Sequence, residues 1–261
     1  MVVGIIGNGT VGGTLAKWFE ENTEHDVRIY DPPKGQKDFL EDCEAIFVSV
    51  PVPADESGQD ISLLKESVLM AQKYTDKVFI RSTVLPNTND ELGTISMPEF
   101  LTERRAFSDM SEYPILCGHT DPQLLERIFP NKQIIMMSNA EAELAKYTHN
   151  CFGALKVTYF NVINQLCEQY GLDYDKVLKG AMITGFIEAT HTRIAQDGKL
   201  GYGGKCFPEN INSFTGWLAR TKRTLEAQLF GTTAILNHTY RSEDENYTTT
   251  SEVINERASL R

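Results

Sequence analysis

Val2-Val3-Gly4-Ile5-Ile6-Gly7-Asn8-Gly9-Thr10-Val11-Gly12 is the stretch that decides the fold. An apolar run of strand length ends in a Gly-x-Gly-x-x-Gly turn. A helical pattern follows over residues 10–21, with Leu15, Trp18 and Phe19 at helical spacing. The glycine pattern alone is weak, and the strand before it and the helix after it supply the context it needs. In that context Gly7 permits a tight turn, Gly9 lets the backbone approach a pyrophosphate, and Gly12 lets the helix lie close on the strand. The backbone of Asn8, Thr10 and Val11 completes a helix N-terminus whose free N–H groups suit phosphate oxygens. Asp31 ends the next strand, nineteen residues after Gly12. A carboxylate there accepts hydrogen bonds from ribose hydroxyls and repels a 2′-phosphate, which favours NAD over NADP. The competing reading is a glycine turn with no ligand.

Outward from this unit, strand patterns recur at 27–30, 45–50 and 78–82, with shorter ones at 94–96, 114–117 and 134–137. Helical patterns fall at 61–74 and 122–129. The alternation predicts a parallel sheet covered on both faces. The second half changes character. Ser138-Asn139-Ala140-Glu141 reads as a capping box, and the helix it opens runs to Tyr170, interrupted only by the tolerated Gly153. Leu144, Cys151, Leu155, Val162 and Leu166 fall near one face, and Gly171 is a C-terminal stop. A helix of that length spans ~45 Å at 1.5 Å per residue. Further helices are predicted at 174–182, 211–219 and 224–241. The expected fold class is α/β, a Rossmann-type doubly wound sheet followed by an all-helical domain with a long central helix. The expected division is 1–138 for the NAD-binding domain, 139–241 for a helical central and dimerisation domain, and 242–261 for a polar tail.

The 261 residues carry a net charge of -11, which argues against a broad nucleic-acid surface. No apolar run approaches the ~20 residues of a membrane span. The apolar N-terminal run is too short for a signal peptide, so a cytoplasmic protein is expected. The five cysteines (Cys43, Cys117, Cys151, Cys167 and Cys206) include no Cys-x-x-Cys pair, and the five histidines are scattered. That argues against a disulfide framework and against a metal site.

Four groups of residues carry candidate chemistry. Cys206 follows the glycines of Gly201-Tyr202-Gly203-Gly204-Lys205-Cys206-Phe207-Pro208. Such a loop can wrap a ligand, and Lys205 is placed to favour a thiolate. A small buried cysteine in a structural turn is the equal alternative. Lys146 and Asn150 share a face of the long helix and can hold an oxyanion, against the alternative of a solvated lysine beside an asparagine. His149 reads as a bystander. Glu99 and Glu103 flank Phe100 and Leu101, where partial burial suits acid–base work; a surface loop with ordinary glutamates is the alternative. Arg81-Ser82-Thr83 follows a strand, at the end of a parallel sheet where ligands bind.

With these residues in order, the chain resembles the UDP-glucose/GDP-mannose dehydrogenase family, whose members oxidise the C6 alcohol of a nucleotide sugar to a carboxylate with two NAD. The similarity runs through Gly7–Gly12 and Asp31, then Val50-Pro51-Val52-Pro53 with Gly58 and Asp60-Ile61-Ser62. It continues through Ser82-Thr83-Val84 with Pro86, and Pro98-Glu99-Phe100-Leu101 with Glu103. Glu143-Leu144-Ala145-Lys146 with Asn150, Phe160-Asn161 and Leu166-Cys167-Glu168 follow, then Arg193-Ile194 and the loop from Gly201 to Pro208. It covers residue 1 to about residue 240.

The resemblance implies roles. Cys206 captures the aldehyde and carries a thioester. Lys146 and Asn150 stabilise oxyanions, Glu103 and Thr83 handle protons and water, and Glu99 supports them. Val50, Pro51 and Thr83 join the glycine turn in holding NAD. Phe100, Leu101, Tyr202, Gly203 and Gly204 line the sugar, and Arg193 reaches it across a subunit interface, which implies a homodimer through the long helix. Three departures stand out. Val52 occupies a position where Thr is usual. Glu209-Asn210 replaces Lys-Asp, so the catalytic position 210 holds an amide that takes up no proton at neutral pH. The family's further nucleotide-holding domain is also expected to be missing, because only about twenty polar residues follow residue 240. UDP-glucose leads among substrates. The rivals are a two-electron hydroxy-acid dehydrogenase without a thiol step and a non-catalytic NAD-binding member.

Overall fold

The computed structural model describes residues 1–55, 58–119 and 121–242. The expected tail beyond residue 242 lies outside them. β1 (Val2–Ile6) leads through the glycine turn into α1 (Thr10–Asn22), and β2 (Asp26–Asp31) returns beside it. Then come β3 (Gln36–Lys37), β4 (Ala45–Val48), the small hairpin β5 (Ala54–Asp55) and β6 (Gly58–Gln59), and α2 (Ser62–Ala71). β7 (Val78–Ile80), α3 (Thr88–Leu92), β8 (Ile95–Ser96), α4 (Ala106–Glu112), β9 (Ile115–Cys117), α5 (Pro122–Ile128) and β10 (Ile134–Met136) complete this half.

The main sheet has the order β3-β2-β1-β4-β7-β8. Every pairing in it is parallel except the antiparallel edge strand β3. The chain leaves β1 toward β2 on one side and places β4 on the other, so the order reverses at β1. A crevice opens there above the carboxyl ends of the strands. Alternation along the strands feeds two cores. Val3, Ile5, Phe47 and Phe79 pack against α1 and α5 on one face. Ile6, Ile46, Val48, Val78 and Ile80 pack against α2 on the other. The strands β9 and β10 form a separate parallel pair, joined to the main sheet's end by the Gly118 N–H, which donates to the Ser96 carbonyl at 2.7 Å.

From Asn139 onward every described element is helical: α6 (Asn139–Tyr170), α7 (Tyr174–Ala181), α8 (Cys206–Arg220) and α9 (Thr224–Arg241). The capping box at Ser138 and Glu141 forms, and Gly171 ends α6 in the left-handed conformation at φ 64°. The apolar face read along α6 is buried only in part: Cys151 is buried and Leu155 and Val162 are half-buried, but Leu144 and Leu166 are exposed, with Phe152 and Tyr159 beside them. The buried stripe carries Glu143, Lys146, Tyr147, Asn150, Ala154, Thr158 and Asn161 as well as Cys151. Periodicity in apolar residues captured the face only in part because this helix buries polar groups. Gly153 is no mere interruption, since a Cβ there would lie 2.5 Å from the Phe207 ring. α8 begins at Cys206 and not at the expected Ile211, because Pro208 falls in the first turn, where its missing N–H breaks no helical bond.

Candidate active site

The glycine turn is built as its spacing requires. Gly7 adopts φ +89°, and a Cβ on it would meet the Ser49 carbonyl at 2.7 Å. At Gly12 a Cβ would stand 1.9 Å from the Gly7 carbonyl oxygen, so only glycine lets α1 pack this closely on the turn. α1 has no side-chain cap, which leaves its first N–H groups facing the crevice. The Asp31 carboxylate accepts the Asn8 N–H at 2.7 Å through one oxygen. Lys34 donates to the Asn8 carbonyl and Asn8 donates to the Gln36 side chain, so the loop after β2 braces the turn. A second hollow of about 340 Å³ lies beside Asp31, walled by Tyr30, Pro32, Val50, Leu63 and Met70. Its apolar walls suit a flat base.

A cleft of about 560 Å³ runs from this turn to the start of α8. Its near end is Gly7, Gly9, Thr10, Val11 and Asp31, and its wall includes Val50, Pro51 and Thr83. Its far end is Glu99, Lys205, Cys206, Glu209 and Asn210. The size is that of a small-molecule site. The cradle fits a dinucleotide: an uncapped helix start, an acid at the ribose position and an apolar slot lie in one line.

Around Cys206 the structure assembles a polar shell. Lys146 is buried; its Nζ donates to the Glu99 carbonyl at 2.5 Å and lies 3.5 Å from the Glu99 carboxylate, over the Phe100 ring. Glu99 also accepts the Leu101 N–H at 2.5 Å. Asn150 donates to the Asn210 side-chain oxygen at 2.6 Å, which leaves the Asn210 amide N–H groups for the cleft. Cys206 is exposed while the other four cysteines are buried and free. Surrounding protein pushes its thiol above the ordinary value; Lys146 pulls it down, Glu99 and Glu209 push it up, and Lys205 pulls down least of these. Lys205 therefore does not make Cys206 a resting thiolate, although the N-terminus of α8 favours one.

Other expected site residues stand apart from the cleft wall. Glu103 is exposed on a short 3-10 turn (Glu103–Arg105). Arg193 is exposed. Tyr202 is 4% exposed and packs in the helical core, with its N–H held by Asn237 at 2.6 Å. Gly203 lies against Asp197 and Arg241, and Gly204 takes φ +72° beside open space.

The structure also gives parts to residues that the sequence left without a site role, among them His149, read there as a bystander. Gln59 clamps the loop carrying Thr83: its amide donates to the Thr83 carbonyl and its oxygen accepts the Leu85 N–H, each at 2.9 Å. The Tyr147 hydroxyl, which Gln59 also contacts, bonds Ser213 at 3.0 Å, and Ser213 donates to the Glu209 carbonyl at 2.8 Å. His149 meets the Asn150 oxygen at 2.9 Å and so orients that amide. Arg81 is buried at the cleft with its Nε unpaired, and burial lowers its pKa to about 10. Glu143 accepts the Asn87 and Asn89 N–H groups at 2.6 and 2.8 Å and pins α6 to α3. Apart from His149–Asn150 and Ser213–Glu209, which are neighbours on their own helices, these contacts cross long stretches of chain that no local pattern encodes.

Among the described residues no group of His, Cys, Asp and Glu could hold a metal ion, and no helix is long and apolar enough to cross a membrane.

Residues 140–239 match the family model described as "UDP-glucose/GDP-mannose dehydrogenase family, central domain". A UDP-glucose 6-dehydrogenase from Rickettsia bellii is 29% identical over 76% of this chain and 50% of its own length. The chain thus spans about half the length of that relative. A UDP-glucose dehydrogenase structure from Pyrobaculum islandicum superposes with TM-score 0.76 at 20% identity, over 91% of this chain and 68% of that one. A GDP-mannose dehydrogenase from Pseudomonas aeruginosa gives 0.61 at 21% identity, over 92% and 69%. These two likenesses establish the fold.

Proposed function

We propose that this chain, which belongs to the UDP-glucose/GDP-mannose dehydrogenase family, oxidises the C6 alcohol of a nucleotide sugar to a carboxylate, with UDP-glucose the leading substrate. The observation that carries the reading is the single cleft joining the glycine turn and Asp31 to Cys206. The glycine turn, Asp31, Val50, Pro51 and Thr83 would hold NAD, which when bound supplies the hydride acceptor for both oxidations. Everything else falls to side chains of the cleft.

The alcohol carbon loses a hydride and its hydroxyl proton, giving an aldehyde. The Cys206 sulfur adds to that carbonyl carbon, and the C=O electron pair moves onto oxygen. That oxyanion is held by Lys146, already buried and cationic, and by the Asn210 amide, which Asn150 orients. Loss of a second hydride from the same carbon gives a thioester, and water then breaks the C–S bond to release the carboxylate. Asn210 serves here as a hydrogen-bond donor, a role an amide fills and proton uptake does not. Gln59 keeps Thr83 at the cleft wall, where its hydroxyl can orient water.

The proposed domain division is 1–138 for the cofactor and 139–241 for the helical domain. A homodimer through α6 accounts for its exposed Leu144, Phe152, Tyr159 and Leu166, and for Ile183 and Phe186 beyond α7. In such a dimer Arg193 reaches the partner's site. The reading is tested by following NADH formation with a panel of UDP- and GDP-sugars. Turnover with one of them is expected. Tight NAD binding with no turnover on any of them would replace it with the non-catalytic reading.

A further inference from the structure

The cleft is lined by three carboxylates, and two of them are committed. Asp31 lies at the cofactor end and accepts the Asn8 N–H. Glu99 is tied to the Leu101 N–H and to Lys146. Glu209 is different. It follows Cys206 by three residues on the first turns of α8, which puts the two side chains on one helix face. Both line the cleft, and the carboxylate makes no hydrogen bond or ion pair among the described residues. Glu103, the acid expected for proton handling, stands exposed on its own turn away from the cleft wall.

We propose that Glu209 is a catalytic residue of the thiol step, the base that takes the Cys206 proton when sulfur adds to the aldehyde. The S–H bond breaks and its proton goes to a Glu209 carboxylate oxygen. The S–C bond forms and the carbonyl π pair becomes the oxyanion electron pair. The second hydride leaves to the NAD of the proposed reaction, giving the thioester; when water later breaks its C–S bond, Glu209 returns a proton to the leaving sulfur, so both side chains regain their starting protonation.

Two physical facts fit this pairing. The Cys206 thiol lies above its ordinary range, so sulfur needs a base at neutral pH. Burial also raises Glu209, which brings its proton affinity toward that of the thiol. The charged and titratable groups around the pair are Lys205 and Cys206 at the start of α8, Tyr147 and Lys146 on α6, and Glu99 from the loop before α4. Compared with these, Glu209 alone combines an uncommitted lone pair with a place on the same helix face and the same cleft as the sulfur.

The assignment of the step rests on the oxidation proposed above; the pairing of the two side chains does not. The test has two readouts on the full chain. Iodoacetamide labelling of Cys206, read by mass spectrometry, reports thiolate content without any substrate. Glu209→Gln removes a negative charge beside the sulfur, so labelling near neutral pH is expected to rise roughly 3- to 10-fold. Sugar oxidation to the carboxylate is expected to fall by roughly 100-fold or more, since a lost general base costs that much. Glu209→Asp, which keeps the charge, is expected to label at the wild-type rate. Faster labelling with slower turnover is a split that a merely structural residue would not produce. Unchanged labelling in Glu209→Gln would overturn the pairing, and wild-type turnover in that variant would overturn the base role. If the wild-type chain oxidises no nucleotide sugar, the proposed function fails, and labelling still decides whether Glu209 governs Cys206.

Discussion

Replacing Glu143 with Gln takes away one charge and almost no volume, so its effect isolates the electrostatics of one joint. In the folded chain one carboxylate oxygen accepts the Asn87 N–H at 2.6 Å. The other accepts the Asn89 N–H at 2.8 Å and the Asn89 side-chain amide at 2.7 Å. Asn89 is 0% exposed and Glu143 2%, so the Asn89 half of the joint is closed to solvent, whereas Asn87 is exposed and its half is only partly covered. Asn87 also sits at φ 77°, a left-handed conformation that the carboxylate bond helps to hold. A carboxamide has a single acceptor oxygen. With that oxygen kept on Asn89, its NH2 faces the Asn87 N–H, donor against donor. The Asn87 donor, only partly covered, loses its partner at a cost toward the lower end of the about 1–3 kcal/mol of a buried one. The two remaining bonds lose their charge assistance, which is roughly half of their strength. Together the loss is about 2–4 kcal/mol. For a chain of this size that lowers Tm by about 4–16 °C. Circular dichroism melts and urea midpoints at neutral pH measure it, with Glu143→Ala as the larger perturbation. A Tm within about 1 °C of wild type, against the drop expected from such a loss, would refute the claim that Glu143 fastens α6 to α3.

Three further outcomes follow from the same geometry. Asp31→Ala removes both the brace on Asn8 and the ribose acceptor, so NADH affinity by fluorescence titration should fall about 10- to 100-fold; an unchanged Kd would remove Asp31 from the cofactor site. Gln59→Leu frees the Thr83 loop, and kcat should drop by roughly 10- to 100-fold while NADH affinity holds; a change confined to KM would show that the clamp does not serve the reacting groups. Because its surroundings push the Cys206 thiol up, iodoacetamide labelling should climb about tenfold per pH unit between pH 7 and 9 as thiolate forms; a plateau already reached near neutral pH would show a resting thiolate.

Local chemistry made much of the architecture legible. The Ser138 capping box, the Gly171 stop and α9 lie where the residues say, because each is written within a few positions of itself. Strands 45–50 and 78–82 shortened to Ala45–Val48 and Val78–Ile80 as their last residues turn into the crevice. The short helices α3 and α4 were not anticipated. α3 has five residues, and its N-terminal N–H groups are satisfied by Glu143 from a distant helix. The start of α8 was hidden because Pro208 reads as a break when its position in the turn is unknown. At the site, Cys206, Glu99, Lys146 and Asn150 come together as their types suggested; Glu209 joins Cys206 through its spacing on α8, which the hidden helix start concealed, whereas Gln59 and Ser213 owe their places to tertiary packing.

The central claim is that one cleft serves both the dinucleotide and the Cys206 sulfur. The measurement that tests it most directly is the count of NADH formed per nucleotide sugar consumed, for the wild-type chain and for Cys206→Ala. The account predicts two NADH per sugar for wild type and no carboxylate from the variant. One NADH per sugar in the wild type, or carboxylate still formed by Cys206→Ala, would contradict it.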